Sequence, residues 1–131
     1  MAQDNDKIVG FTCGTFDLLH AGHILMLNEC KQQCDILIVA INAKGKRGTV
    51  EGIFERHLKV KALKYADEII VYEEQDLGNI LRWLNGKFEQ FVRFEGADHE
   101  KGSHRWPEIP TIFTKRDHDY SSTNIKKRCK Q

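Results

Sequence analysis

Short apolar runs alternate along this chain with segments whose apolar residues recur at helical spacing, and no other feature constrains the fold as strongly. The run DILIVAIN (35–42) is almost continuously apolar and rich in β-branched residues, as is typical of a central strand in a parallel sheet. Similar runs occur at 7–13, 68–72, 90–94 and 111–115. Because helical segments separate the first four runs, we predict the order β-α-β-α-β-α-β-loop-β-α.

The spacing of apolar residues places the predicted helices. A first helix is expected over 22–34. The apolar stripe of the second helix consists of Phe54, Leu58, Ala62 and Tyr65, and that of the third helix of Leu77, Ile80, Leu81 and Leu84. We expect Asn85 and Gly86 to end the third helix, and Ser121 or Ser122 to cap a last one.

This alternation predicts an α/β fold, a doubly wound and Rossmann-like parallel sheet of five strands with helices on both faces. The length of 131 residues fits a single domain that spans 1–131. A doubly wound sheet binds its ligands in the crevice beyond the carboxyl ends of the strands. The loops that follow residues 13, 42, 94 and 115 are therefore the predicted functional loops.

Composition excludes several classes of function. With 20 basic and 19 acidic residues the net charge is +1, which argues against bulk binding of nucleic acid. No apolar run reaches the ~18 residues that a membrane helix needs, and the polar N-terminus MAQDNDK lacks the pattern of a signal peptide. The four cysteines include no CxxC pair, and no spacing of histidine and cysteine supports a metal site. We expect a cytoplasmic protein with reduced cysteines.

The stretch GTFDLLHAGH (14–23) joins the first predicted strand to the first helix. A helix start offers unpaired backbone N–H groups and the positive end of the helix dipole, so it suits a phosphate. His20 and His23 are three residues apart and can project to one side, where two imidazole donors would hold the negative charge of a transferring group. Asp17 has two open interpretations, which are contact with a ligand and a local structural role at the turn.

These residues resemble the HxGH signature of the cytidylyltransferase-type nucleotidyltransferases. The run RDHDYSSTNIKKR (116–128) resembles the second signature of that family, a serine- and threonine-rich segment that opens the last helix. The chain is most similar to the glycerol-3-phosphate cytidylyltransferases and the heptose-phosphate adenylyltransferases. The resemblance implies transfer of a nucleoside monophosphate from a nucleoside triphosphate to a phosphorylated acceptor, with Mg²⁺ assisting and pyrophosphate leaving. It also implies a homodimer.

The resemblance gives catalytic roles to His20, His23 and Arg116. The two histidines would stabilise the α-phosphate as it becomes pentacoordinate, and Arg116 would grip phosphates through its planar fork. Because the acceptor is already a phosphate anion, the reaction needs no general base. Positioning and charge neutralisation would carry most of the catalysis.

The resemblance also assigns the binding residues. Those assigned to the nucleotide are Thr12, Gly14, Thr15, Phe16, Asp98, Ser121, Ser122 and Thr123. Those assigned to the acceptor substrate are Asp17, Lys44, Lys46 and Arg56. For the two serines and the threonine, the alternative interpretation is simple N-capping. For Arg56, the alternative is an exposed helix position without contact to a substrate.

Arg116 favours CTP as the nucleotide and a small acceptor such as glycerol 3-phosphate, because the heptose adenylyltransferases generally lack this arginine. The alternative is an adenylyltransferase acting on a sugar phosphate such as heptose 1-phosphate. The segment 96–99 departs from the pattern of the relatives, with His99 in place of their usual aromatic residue, and this leaves the base open. The loop after the second strand is shorter than in typical glycerol-phosphate enzymes, and this motivates a third reading, a nucleotide-binding module without turnover.

Overall fold

The computed structural model describes residues 6–96 and 105–115. All five predicted strands form within these ranges, whereas the predicted last helix lies outside them. The elements in chain order are β1 (Ile8–Gly14), α1 (Ala21–Gln32), β2 (Ile36–Asn42), α2 (Ile53–Lys61), β3 (Glu68–Tyr72), a 3₁₀ turn (Glu74–Asp76), α3 (Leu77–Lys87), β4 (Gln90–Gly96) and β5 (Thr111–Thr114).

The strands form one parallel sheet in the order β3-β2-β1-β4-β5. In the central strand β1, Phe11 lies opposite Ile38 of β2 on one side and Arg93 of β4 on the other. The strand order reverses between β1 and β4, and a ligand crevice is expected at such a switch point. The predicted doubly wound α/β fold is thus confirmed.

Alternation along the strands divides the core between the two faces of the sheet. On one face Val9 and Phe11 of β1 pack with Leu81 and Leu84 of α3. The cluster on the other face contains residues of β2, α1 and α2, among them Leu37, Val39, Ile41, Leu27 and Val60. Helices therefore cover both faces. In the described parts of the chain, no helix has the length and apolarity needed to cross a membrane.

The second helix turns a different face to the core from the one its apolar stripe predicts. Phe54 is 76% exposed and Leu58 is 55% exposed, whereas Arg56 and Val60 are buried. The helix also ends at Lys61, before Tyr65. Arg56 and Val60 share a helical face at the same spacing as Phe54 and Leu58, and the hydrogen bonds of the arginine decide which of the two faces turns inward.

The third helix runs past its predicted end. It continues through Asn85 and Gly86 to Lys87, and the N–H of Phe88 still donates to the carbonyl of Leu84. A glycine inside a helix costs about 1 kcal/mol relative to alanine. The burial of Leu81 and Leu84 on the same helix outweighs this cost, so tertiary packing overrides the local signal.

Candidate active site

The turn that follows β1 has an unusual backbone. Phe16 and Leu18 have φ values of 54° and 49°, in the left-handed region that residues with a Cβ seldom adopt. Packing and hydrogen bonding hold both in place, because Phe16 is buried in the core and the N–H of Leu18 donates to Oε1 of Glu51 at 2.8 Å. Such strain is typical of turns that position functional groups.

His20 and His23 form a capping pair at the start of α1. His20 is the N-cap, and its Nδ1 accepts from the N–H of Gly22 at 3.0 Å. Nδ1 of His23 accepts from the N–H of His20 at 3.2 Å, and the centroids of the two rings are 4.0 Å apart. Because both Nδ1 atoms accept, each neutral ring carries its proton on Nε2. The two side chains thus lie together at the predicted helix start.

The environment of His23 keeps its imidazole neutral. Burial, reinforced by the neighbouring His20, lowers the pKa of His23 to about 4, although Asp17 acts in the opposite direction. At neutral pH this ring is therefore a hydrogen-bond donor through Nε2–H without a positive charge. Such a donor can stabilise charge that develops on a phosphate oxygen, as predicted for this pair.

Asp17 binds the backbone of the loop before α2. The side chain is 6% exposed, and its two oxygens accept from the N–H groups of Val50 and Glu51 at 3.0 and 2.9 Å. The structure thus shows a structural role for Asp17 at this turn, because both carboxylate oxygens bind the loop. Its assignment to substrate binding stays a prediction.

Arg56 is buried, so the alternative of an exposed helix position is wrong, while its assignment to a substrate phosphate stays a prediction. This side chain is 2% exposed, and its Nε donates to the carbonyl of Glu51 at 3.0 Å. Nη1 donates to the carbonyls of Thr15 and Asn42 at 3.1 and 2.6 Å, and Nη2 donates to that of Ala43 at 2.9 Å. Arg56 therefore ties the loops after β1 and β2 to the start of α2.

A cavity of about 550 Å³ opens at the carboxyl ends of the strands, where the fold predicts a ligand. Four of the predicted binding residues line it: Thr12, Gly14, Thr15 and Lys46. Phe16 and Lys44 do not. The ring of Phe16 belongs to the core, and the backbone N–H of Lys44 donates to Oδ1 of Asn42.

The sequence interpretation missed the far wall of this cavity. Arg93 and Glu95 of β4 line it, together with Tyr72 at the end of β3 and Glu74 just after that strand. A usable signal was present, because residues two apart on a strand face the same side, and an Arg-x-Glu pair in a buried strand indicates a designed polar contact.

Cys13 and Tyr72 add uncharged groups to the same wall. Burial raises the pKa of Cys13 to about 11, although a hydrogen bond from Tyr72 opposes the shift, so this cysteine is a thiol at neutral pH. The pKa of Tyr72 also lies above its usual value, chiefly because of burial. Trp106 lines the cavity as well and packs against Gly78, where a Cβ would come within 2.7 Å of the indole nitrogen.

The remaining predicted site residues lie outside the described residues. They are Asp98, Arg116, Ser121, Ser122 and Thr123. Within 6–96 and 105–115, no group of three or more histidine, cysteine, aspartate or glutamate side chains is arranged to hold a metal ion.

Comparison with known proteins agrees with this fold. The family model described as cytidylyltransferase-like matches residues 11–128. The chain is 40% identical over 100 residues to the bifunctional protein HldE of Granulibacter bethesdensis, which covers 71% of this chain and 20% of that protein. It is 29% identical over 107 residues to HldE of Campylobacter jejuni serotype O:6, covering 76% and 22%. The chain thus spans about a fifth of the length of these curated relatives.

Solved structures give the same fold at lower identity. A lipopolysaccharide core biosynthesis protein from Thermoplasma volcanium superposes with a TM-score of 0.65 at 22% identity, covering 86% of this chain and 99% of that one. NadR in complex with NAD and AMP-PNP superposes with a TM-score of 0.55 at 15% identity, covering 95% of this chain and 41% of that one. The family model matches most of this chain, and the histidine pair lies at the start of α1. The chain therefore belongs to the cytidylyltransferase-like family of nucleotidyltransferases.

Proposed function

We propose that this domain transfers a nucleoside monophosphate from a nucleoside triphosphate to a phosphorylated small molecule and releases pyrophosphate. The observation that carries the proposal is the histidine pair, with both Nδ1 atoms engaged by backbone N–H groups at the start of α1. This arrangement supports Nε2–H donation toward an anion. A helix start is the part of a fold that best accommodates a phosphate.

In the proposed reaction a phosphate oxygen of the acceptor attacks the α-phosphorus, and the bond between that phosphorus and the α–β bridging oxygen breaks. His20 and His23 donate hydrogen bonds to oxygens on which charge grows. No proton must be removed from the acceptor, which fits the neutral state of His23, whose pKa is held at about 4. Thr12, Thr15 and Lys46 would hold phosphate groups in the neighbouring cavity.

Mg²⁺ is part of this proposal as the partner of the triphosphate. The described residues offer no cluster of side chains for a metal, so its ligands would come mainly from phosphate oxygens, as is common for Mg²⁺. When bound, the ion would neutralise charge on the leaving pyrophosphate. The side chains described above would then need only to position the α-phosphate and the acceptor.

Two combinations of nucleotide and acceptor are part of the proposal. Arg116 supports CTP with an acceptor like glycerol 3-phosphate. The two curated relatives described above are HldE proteins, and this favours the alternative, an adenylyltransferase acting on a sugar phosphate such as heptose 1-phosphate. A homodimeric, cytoplasmic enzyme is also part of the proposal and rests on the sequence.

The test is pyrophosphate release with CTP and with ATP across phosphorylated polyols and sugars. We expect turnover with one nucleotide, and a loss of about 100- to 1,000-fold in kcat for His20→Ala, the usual effect of removing one donor from a developing oxyanion. His57→Ala on α2 is the matched control, because this histidine lies outside the proposed site. Equal nucleotide binding without turnover in wild type and His20→Ala would instead support the non-catalytic module.

A further inference from the structure

Two buried side-chain oxygens in the described part of the chain have no hydrogen-bond partner, Oγ1 of Thr15 and Oε2 of Glu95. Both residues line the cavity at the carboxyl ends of the strands. Buried polar atoms in native proteins are nearly always paired, so an orphan acceptor in a cavity wall indicates a position where a ligand donates. Thr15 lies beside the histidine turn, whereas Glu95 lies on the wall formed by β4.

The environment of Glu95 fixes which of its oxygens faces a ligand. Oε1 lies 3.6 Å from Nη1 of Arg93, a residue that is only 3% exposed. Arg93 is itself immobilised, because Nε donates to Oγ1 of Thr111 at 2.7 Å and Nη2 donates to the carbonyl of Arg105 at 2.5 Å. The carboxylate is thus oriented by one buried cation, and Oε2 remains as an acceptor.

The lining of the cavity contains two kinds of polar group. Lys46 and the hydroxyl groups of Thr12 and Thr15 suit a phosphate. Glu74 and Glu95 are each paired with an arginine of the same lining, and their carboxylates suit hydroxyl groups that donate hydrogen bonds. Glu74 is already bound to Arg105 at 2.6 Å, so Glu95 is the acid with an unengaged oxygen.

We propose that Glu95 is a specificity-determining residue whose Oε2 accepts a hydrogen bond from a hydroxyl group of the polyol or sugar phosphate that serves as acceptor. The inference rests on the proposed function and names the residue that recognises the hydroxyl groups of its acceptor. Trp106 and Leu81, which also line the cavity, supply apolar surface for the C–H face of such a molecule. In this arrangement Lys46 binds the acceptor's phosphate and Glu95 binds one of its hydroxyl groups.

The test compares acceptors that differ by one hydroxyl group. The pairs are glycerol 3-phosphate with 3-hydroxypropyl phosphate, and mannose 1-phosphate with its monodeoxy forms. For the pair that turns over, wild type should prefer the hydroxylated member by about 10- to 100-fold in kcat/KM, the usual value of a hydrogen bond to a charged group. In Glu95→Gln this preference should fall to within about threefold, because a hydrogen bond between the hydroxyl group and a neutral amide is weaker than one to a carboxylate.

Glu74→Gln is the matched control, since it removes one negative charge from the same wall. It should retain the preference for the hydroxylated acceptor. If Glu95→Gln does not fold, as judged by circular dichroism, Glu95→Asp serves in its place, because it keeps the charge and withdraws the oxygens by one methylene.

Calorimetric binding of the same acceptor pairs to the full chain separates the two levels of the proposal. Absence of turnover with every acceptor overturns the proposed function, while the binding difference between the pair members still decides the role of Glu95. Equal losses for hydroxylated and deoxy acceptors in Glu95→Gln overturn the inference. So does an effect confined to the KM of the nucleotide, which would assign Glu95 to the base.

Discussion

Two buried arginines, of which Arg93 lines the cavity and Arg56 does not, show how the same kind of side chain can have two different roles. Arg56 and Arg93 are 2% and 3% exposed. The four hydrogen bonds that Arg56 donates all go to backbone carbonyls, so this side chain fixes the shape of the loops around the histidine turn. Arg93 also binds carbonyls, but it orients the carboxylate of Glu95 as well. Arg56 therefore stabilises the loops, whereas Arg93 orients the carboxylate of another residue toward the cavity.

Substitution of Arg56 by alanine should have the largest effect on stability. It leaves the carbonyls of Glu51, Thr15, Asn42 and Ala43 without their donor, and we expect the free energy of unfolding to fall by about 3–5 kcal/mol. Urea unfolding followed by circular dichroism measures it. Arg82→Ala, at an exposed ion pair, is the control and should change stability by less than about 0.5 kcal/mol. Similar effects of both substitutions would contradict the role of Arg56 in holding these loops together.

Substitution of Arg93 by alanine should cost somewhat less, about 2–4 kcal/mol, because it removes a buried donor and leaves Glu95 without its cation. The double variant Arg93→Ala/Glu95→Ala should be more stable than the sum of the single effects predicts, with a coupling of about 1–2 kcal/mol. A urea-based double-mutant cycle gives this value. Additivity of the two single effects would mean that Arg93 does not orient the carboxylate of Glu95.

The histidine turn, in contrast to the two arginines, should make stability depend on pH. The pKa of His23 is lowered from 6.5 to about 4 in the fold, so between these values the unfolded chain binds more protons than the native one. Its contribution is fully present above pH 6.5 and is lost as the pH falls toward 4, by about 2–3 kcal/mol. Unfolding at pH 7.5 and 4.5 should show a smaller pH dependence in His23→Asn than in wild type. An equal dependence would contradict the burial of a neutral His23.

Asp17→Asn should have the smallest of these effects. The amide keeps one oxygen for the N–H groups of Val50 and Glu51 but loses the other, which costs about 1–2 kcal/mol. Removal of its charge should also lower the pKa of His23 further, since Asp17 raises it. Thermal unfolding and an NMR titration of the imidazole would measure the two effects. An unchanged pKa would show that Asp17 does not act on the histidine pair.

Much of the fold was predictable because strands and helices alternate with clear periods. The strands, their order along the chain and the histidine pair at the helix start all followed from local patterns. The inward face of α2 did not, since Phe54 and Leu58 have the same spacing as Arg56 and Val60. Nor did the end of α3, where packing of Leu84 overrides the local signal at Asn85 and Gly86.

In the candidate site, too, local spacing predicts some of the contacts and only the tertiary structure gives the others. His20 and His23 are three residues apart, so a helical turn alone brings them together. The carboxylate of Asp17 meets residues 50 and 51, and the guanidinium of Arg56 meets Thr15, only because parallel strands carry their loops to one edge of the sheet. Those contacts span long sequence separations, and no local spacing reports them.

The sequence by itself determined the doubly wound sheet and the histidine turn, because periodicity and short-range spacing specify both. Only the tertiary structure decided that Arg56 and Asp17 serve the frame and that Glu95 faces the cavity. The physical reason is that burial and hydrogen-bond partners depend on which loops meet in space. The sequence gives the type of a charged residue, but the type is the same whether the side chain stabilises the fold or binds a substrate.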